Sequence, residues 1–287
     1  MEVDPMFSPG ARIILTTADD GRTLTFTIDR PFAPFTKSLV LLARCPELTP
    51  DAVVIKIYDP RFLDDRVSVV PSQPSRPWTP AAEKAAAALP KDEFDEALLW
   101  EDEPEDTDVA GKAARAALWE EHYRRLSFEC FEAETSAYDR LRALQGGAIP
   151  RLLFAGVWQP PDERAIRPPA IVLEYIPDAV SLRDVSADVL QPGVCAALVR
   201  AVDSFQAHGV FHGDIHQENV LFTPRARPAR AVVIDFGCAG VRAEGEDEES
   251  WQFNVTFAND GGRVRRLLKE KGVVLPEDAG SGSAPAA

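Results

Sequence analysis

The sequence predicts an α+β fold in two lobes, an antiparallel-sheet lobe followed by a small, mainly helical one. Three observations carry this expectation. Branched and aromatic runs crowd positions 12–58, residues 112–145 continue without proline or glycine, and the length of 287 residues lies near the size at which one core gives way to two.

Taken in order, residues 12–28 hold two extended stretches around Asp20-Gly21, a dipeptide that reaches the positive φ of tight hairpin turns. Runs at 39–43 and 52–58 (AVVIKIY) follow at short spacing, which extends the hairpin into an antiparallel meander. From about 71 to 111 the composition shifts to proline, alanine and acids, with too little periodic apolar surface for a core layer, so an inserted, partly disordered or loosely helical segment is expected. Within 112–145, Phe131, Glu134, Tyr138 and Leu141 fall on one helical face, and Gly146-Gly147 stops the helix. Strands are expected at 151–158 and 170–176, then a helix carrying Val194, Leu198, Val202 and Phe205 that ends at Gly209. Short strands follow, then one amphipathic helix near 263–271 and a Gly/Ser/Ala/Pro tail at 276–287 expected to be disordered. The expected division is 1–176, 177–275 and the tail.

Lysine plus arginine number 31 against 46 acids, a net charge of −15. Such a field repels phosphate backbones and anionic membranes, so neither nucleic acid nor membrane is an expected partner. Residues 92–108 alone hold ten acids and no base, which makes the acidity local. Cys45, Cys130, Cys195 and Cys238 show no metal-knuckle or disulfide-framework spacing and suggest reduced, intracellular thiols. The first ten residues lack the basic and apolar regions of a leader, so a cytoplasmic or nuclear protein, not a secreted one, is expected. The sequence fixes no oligomeric state.

The informative passage is VFHGDIHQENVLFTPRARPARAVVIDFG, residues 210–237. An apolar run delivers His212-Gly213-Asp214 into a loop, Asn219 follows Asp214 by five, and another apolar run delivers Asp235-Phe236-Gly237. Two strand-end carboxylates and an amide are oxygen donors suited to Mg²⁺, and phosphoryl transfer rests on positioning and charge neutralisation of this kind. His212 is expected to pack beneath the loop and bond backbone near Asp235. A zinc site built from His208, His212, Asp214 and His216 is disfavoured, because Gly213 and the flanking strand pattern oppose a helical histidine pair.

The passage resembles the catalytic loop and metal-binding motif of the protein-kinase-like superfamily, with HGD for HRD and an intact DFG. The resemblance implies Asp214 as catalytic base, Asn219 and Asp235 as Mg²⁺ ligands, and ATP as phosphoryl donor. It implies Lys56, in VVIKIY, as the phosphate-binding lysine and Glu134 as its helix partner, with Glu132 in reserve. By position, Glu174, Tyr175 and Ile176 form the hinge beside adenine. Where the superfamily carries a glycine-rich loop, this chain has PFAPFTKS, leaving Thr36, Lys37 and Ser38 as candidate phosphate donors. His216, also counted with the cofactor-binding residues, gives the HGDxHxxN form of aminoglycoside and choline phosphotransferases. The order of motifs is similar to compact fungal protein-kinase-domain proteins with a truncated second lobe. The implied function is ATP- and Mg²⁺-dependent transfer to a hydroxyl, with protein serine or threonine the preferred acceptor. A small-molecule kinase and a catalytically silent binding module remain the alternatives.

Overall fold

A computed structural model of the chain describes residues 5–17, 21–68, 74–90, 94–105 and 107–275. The expected disordered tail, Asp20 of the hairpin turn, and 71–73, 91–93 and 106 of the acidic segment lie outside the described residues. The chain divides into two units, Met1–Phe131 with Leu153–Leu173, and Glu132–Leu152 with Glu174–Ala287.

The first unit holds strands β1 (Arg12–Thr16), β2 (Thr23–Pro31), β3 (Leu39–Arg44) and β4 (Ala52–Ile57), helix α1 (Pro80–Ala87), most of helix α2 (Val109–Arg140), and strands β5 (Leu152–Trp158) and β6 (Pro169–Glu174). The strands close into a barrel in the order β1-β2-β3-β4-β6-β5. The β1–β4 meander is antiparallel throughout, and β1 also pairs antiparallel with β5. Strand alternation sends Ile13, Leu15, Leu24, Phe26, Ile28, Leu41 and Ile55 into one buried cluster while their neighbours face outward.

The acidic, proline-rich segment does contribute structure. Thr79 caps α1 by accepting the Ala82 N–H at 3.2 Å, and Pro80 occupies the first turn, where its missing N–H costs nothing. Polar anchors, rather than an apolar stripe, hold this helix. Arg164 donates to both oxygens of buried Glu83 and to both of Asp59, and the Trp78 indole N–H donates to Glu83 at 2.8 Å. Burial alone would raise both carboxyl pKa values, yet Arg164 holds each below its ordinary value, helped by Arg61 at Asp59 and by Trp78 at Glu83.

Helix α2 begins three residues earlier than expected, because Asp108 accepts the Gly111 N–H at 2.8 Å and serves the first turn. It ends at Arg140, ahead of Gly146, and a 3-10 turn over Arg142–Leu144 completes the run.

In the second unit, β7 (Val180–Ser181), β9 (Val220–Thr223) and β10 (Arg230–Val233) form a sheet in the order β10-β9-β7, and β8 (Val210–Phe211) pairs with β11 (Gly240–Val241). Helix α3 (Pro192–Ser204) buries Cys195, Leu198, Val199 and Val202 against β10 and the helix over Asp260–Glu270. Gly209, at φ +69°, ends the following 3-10 turn in the left-handed region that glycine enters without strain. The C-terminal helix expected near 263–271 is α5 (Asp260–Glu270), and a further helix that was not expected, α4 (Glu248–Ala258), precedes it across left-handed Asn259. Helix α4 buries little beyond Trp251 and Ala258, so its apolar periodicity is faint, whereas α5 buries Val264 and Leu268 a turn apart. Among the described residues, no helix is long and apolar enough to cross a membrane.

Candidate active site

Within the second unit the pairing of β8 with β11 sets Phe211 opposite Gly240, and thereby brings the chain before His212 beside the chain after Gly237. Gly240 is required there because a Cβ would enter the Phe211 ring. The loop that follows β8 is fixed from beneath by His212, which is fully buried. Its Nδ1 accepts the Asp214 N–H at 3.2 Å, so Nε2 carries the proton and donates to the Ile234 carbonyl at 3.0 Å. Burial lowers the His212 pKa, and the neutral ring lies 4.7 Å from the Phe236 ring. This is the backbone-bonding role expected for His212, and it ties the segment holding Asp214 to the segment holding Asp235.

Phe236 is the packing centre of the site. It is fully buried against His212, Phe205 and Tyr138, with ring centres 4.7, 5.7 and 5.6 Å away. Burying such a ring contributes about 2–3 kcal/mol. With Phe236 driven inward, Asp235 adopts φ +69° and stands exposed at the end of the run from β10.

Asn219 is buried and donates its side-chain Nδ2 to the Asp214 carbonyl at 3.0 Å, while its own carbonyl accepts the Ile234 N–H at the same distance. Committing Nδ2 leaves Oδ1 as the amide atom for another partner, and oxygen is the donor that hard cations prefer. Asp214 is half-exposed, and His216 Nε2 lies 3.6 Å from its Oδ2. His216 also accepts the Glu218 N–H at Nδ1, which orients its ring. Asp214, Asn219, Asp235 and His216 are thus gathered around one hydrogen-bonded loop. Among the described residues no group of three or more His, Cys, Asp or Glu side chains is arranged to hold a metal.

One anchor escaped the sequence reading. Asp260, buried at the start of α5, accepts the backbone N–H groups of His212 and, at 3.1 Å, Gly213. The only signal was an acid opening the amphipathic C-terminal segment, forty-six residues beyond Asp214 with no spacing to single it out.

The remaining candidates are distributed over both units. Lys56, 5% exposed, lies opposite Val40 in the β3–β4 ladder, on the face away from Ile55 and Ile57. Its Nζ is 5.7 Å from the Tyr58 ring, which in turn packs edge-on against Phe131 of α2. Thr36, Lys37 and Ser38 occupy the β2–β3 connection. There Lys37 pairs with Asp65 and lies 3.6 Å from Asp64; burial works against its charge, but these carboxylates raise its pKa. In the second unit Glu134 is fully buried on the stripe with Tyr138 and Leu141, whereas Glu132 is exposed. Glu174 accepts the Arg151 N–H at 3.1 Å and lies 3.8 Å from Arg230, and Ile176 is buried.

A family model of the phosphotransferase enzyme family (APH) matches residues 107–247, a span that contains the entire catalytic-loop and Asp-Phe-Gly passage. No curated protein matches the chain. Among solved structures it is similar to the Rio2 kinase from Chaetomium thermophilum at 15% identity, with 87% of this chain and 60% of that one covered and a TM-score of 0.46. It therefore spans about 60% of the length of that relative.

Proposed function

We propose that the chain transfers the γ-phosphoryl group of ATP to a hydroxyl in a Mg²⁺-dependent reaction. The observation that carries this reading is the loop in which His212 and Asn219 bind both the Asp214 segment and Ile234, so that a half-exposed carboxylate, an exposed one and an amide oxygen belong to one hydrogen-bonded frame. Such a frame fixes charge before substrate arrives, and phosphoryl transfer depends on that kind of preorganisation.

In this reading Asp214 orients the acceptor hydroxyl and takes its proton as the oxygen attacks. Asn219 Oδ1 and Asp235 hold Mg²⁺, which when bound neutralises charge on the phosphate oxygens. The donor set fits, since both are hard oxygen ligands and no soft ligand intrudes. Lys56 binds phosphate with Glu134 as its partner, the β2–β3 connection offers Thr36, Lys37 and Ser38 as further donors, and Glu174 to Ile176 supplies the adenine edge. His216 lies near enough to Asp214 to bias its orientation. Residues 1–176 act as the nucleotide lobe and 177–275 as the catalytic lobe.

A serine or threonine of a protein is the first acceptor, because the lysine strand and helix glutamate follow the protein-kinase order. His216 in HGDxHxxN, together with the phosphotransferase family match, favours a small alcohol as the second. The test is thermal stabilisation by ATP with and without Mg²⁺, since a ligand that binds only the native state raises stability in proportion to RT ln(1 + [L]/Kd). A Mg²⁺-dependent rise that Asp235→Ala removes supports the reading. No rise at millimolar nucleotide moves the chain to the silent binding-module alternative. Phosphate incorporation into a peptide library against an amino-alcohol panel then separates the two acceptors.

A further inference from the structure

Phosphotransfer gives no role to the acidic stretch that precedes α2. In the first unit this stretch is built, not loose. Asp95 caps a 3-10 turn over Glu96–Trp100 by accepting the Ala97 N–H at 2.9 Å. Arg115 of α2, buried, donates to the carbonyls of Leu99, Glu101 and Asp102 at 3.0, 3.3 and 3.1 Å, which clamps the stretch along the helix. Another wall is held by a buried bidentate pair, Arg66 with Glu120 at 2.8 and 2.6 Å, and Arg66 also accepts the Arg76 N–H at its carbonyl at 2.8 Å.

Between these walls lies a cavity of about 500 Å³, whose lining includes Trp100, Trp119, His122, Glu101, Asp102 and Glu103. Its chemistry selects cations. Trp100 is 68% exposed and meets Trp119 edge-on at 5.9 Å, leaving an indole face open. The chain's own Arg76 shows what these walls favour, because its guanidinium lies 4.1 Å over the Trp119 ring while pairing with Glu103. Burial lowers the His122 pKa, so His122 adds a neutral ring and not a competing charge. The Trp119 indole N–H is buried with no acceptor among the described residues, a donor that a bound backbone or side-chain carbonyl would satisfy.

We propose that this pocket docks a basic peptide segment of a partner protein, with one arginine or lysine stacked on Trp100 and neighbouring cations paired to Glu101 and its flanking carboxylates. A peptide fits better than a single amine because acids continue along 95–105 on both sides of the indole, with Glu96 and Glu101 side chains 63% and 64% exposed. The same acids repel nucleic acid. The inference is independent of the phosphotransfer reading, because the pocket is made of first-unit residues with no part in that chemistry.

The experiment is fluorescence anisotropy of labelled nona-arginine with the full chain, across a salt series, for wild type, Trp100→Ala, Trp100→Phe and Glu101→Gln. Trp100→Ala is expected to weaken binding about ten-fold, the size of one desolvated cation–π contact, with recovery in Trp100→Phe and a shallower salt slope in Glu101→Gln. Because Trp100 is exposed, its thermal melt should match wild type. No wild-type binding, or variants within about two-fold of wild type, overturns the proposal. Displacement by tetramethylammonium at the concentration of nona-arginine that displaces itself overturns it in favour of a small-amine pocket.

Discussion

Gly213 explains why this loop reads HGD where protein kinases read HRD. Its φ is +76°, and a Cβ would stand 2.5 Å from the Cys238 carbonyl oxygen, so both backbone and space exclude an arginine. Gly213→Ala should lower unfolding free energy by about 1–3 kcal/mol in urea denaturation, the usual cost of a strained residue in the left-handed region with a backbone clash. Tyr138 offers the opposite case. Its hydroxyl is buried with no hydrogen-bond partner among the described residues, and burial, with Glu134, Asp235 and Glu174 nearby, raises its pKa well above the ordinary value. Tyr138→Phe should therefore be neutral or stabilise by up to about 1–2 kcal/mol, because it removes an unpaired polar group and keeps the ring on Phe236. His212 gives a pH dependence. Its folded pKa lies below the ordinary 6.5, so the unfolded chain binds more protons, and stability present above pH 6.5 is lost as pH falls through the folded value. Denaturation midpoints between pH 7.5 and 5 should fall in wild type, and that component should vanish in His212→Gln. At this scale the motif residues were legible because their chemistry dictates their spacing. Asp260 was not, since its role is to accept two backbone N–H groups from a loop distant in sequence, and nothing local marks it.

Strands β1 to β4 could be read from alternation and turn residues, because each pairs with its neighbour in sequence and buries one face. Closure into a barrel could not, because β1 meets β5 across more than a hundred residues. Helix α1 was also hidden. An apolar stripe announces itself in sequence, whereas a helix held by a buried Asp59–Arg164–Glu83 network shows only scattered charges. That network predicts a large effect from one residue. Arg164→Met strips a shared partner from two buried carboxylates and should cost about 3–5 kcal/mol, measured by urea denaturation at pH 7. The loss should shrink as pH falls below about 4, where both carboxyls protonate in the unfolded chain. Helix α4 escaped notice for the converse reason. Phe253 and Phe257 face outward, 70% and 81% exposed, so its hydrophobic residues mark no buried face.

For the whole molecule, the sequence carries two separable messages. One is the passage 210–237, where the phosphotransferase family match and the phosphotransfer reading meet in a single loop built on His212 and Phe236. The other is a net charge of −15, of which residues 92–108 carry −10, a stretch whose Leu99, Glu101 and Asp102 carbonyls are held to α2 by Arg115, remote in sequence from that loop. The phosphotransfer reading rests on the first. It is tested most directly by following label from γ-labelled ATP with Mg²⁺ in wild type beside Asp214→Ala and Asp235→Ala, scoring hydrolysis, autophosphorylation and transfer to mixed hydroxyl acceptors together. Wild-type transfer is expected, falling at least about 10²-fold in each variant, the scale on which a catalytic base or charge-stabilising group acts. Folded wild-type protein that transfers nothing, or variants that transfer as well as wild type, would contradict it.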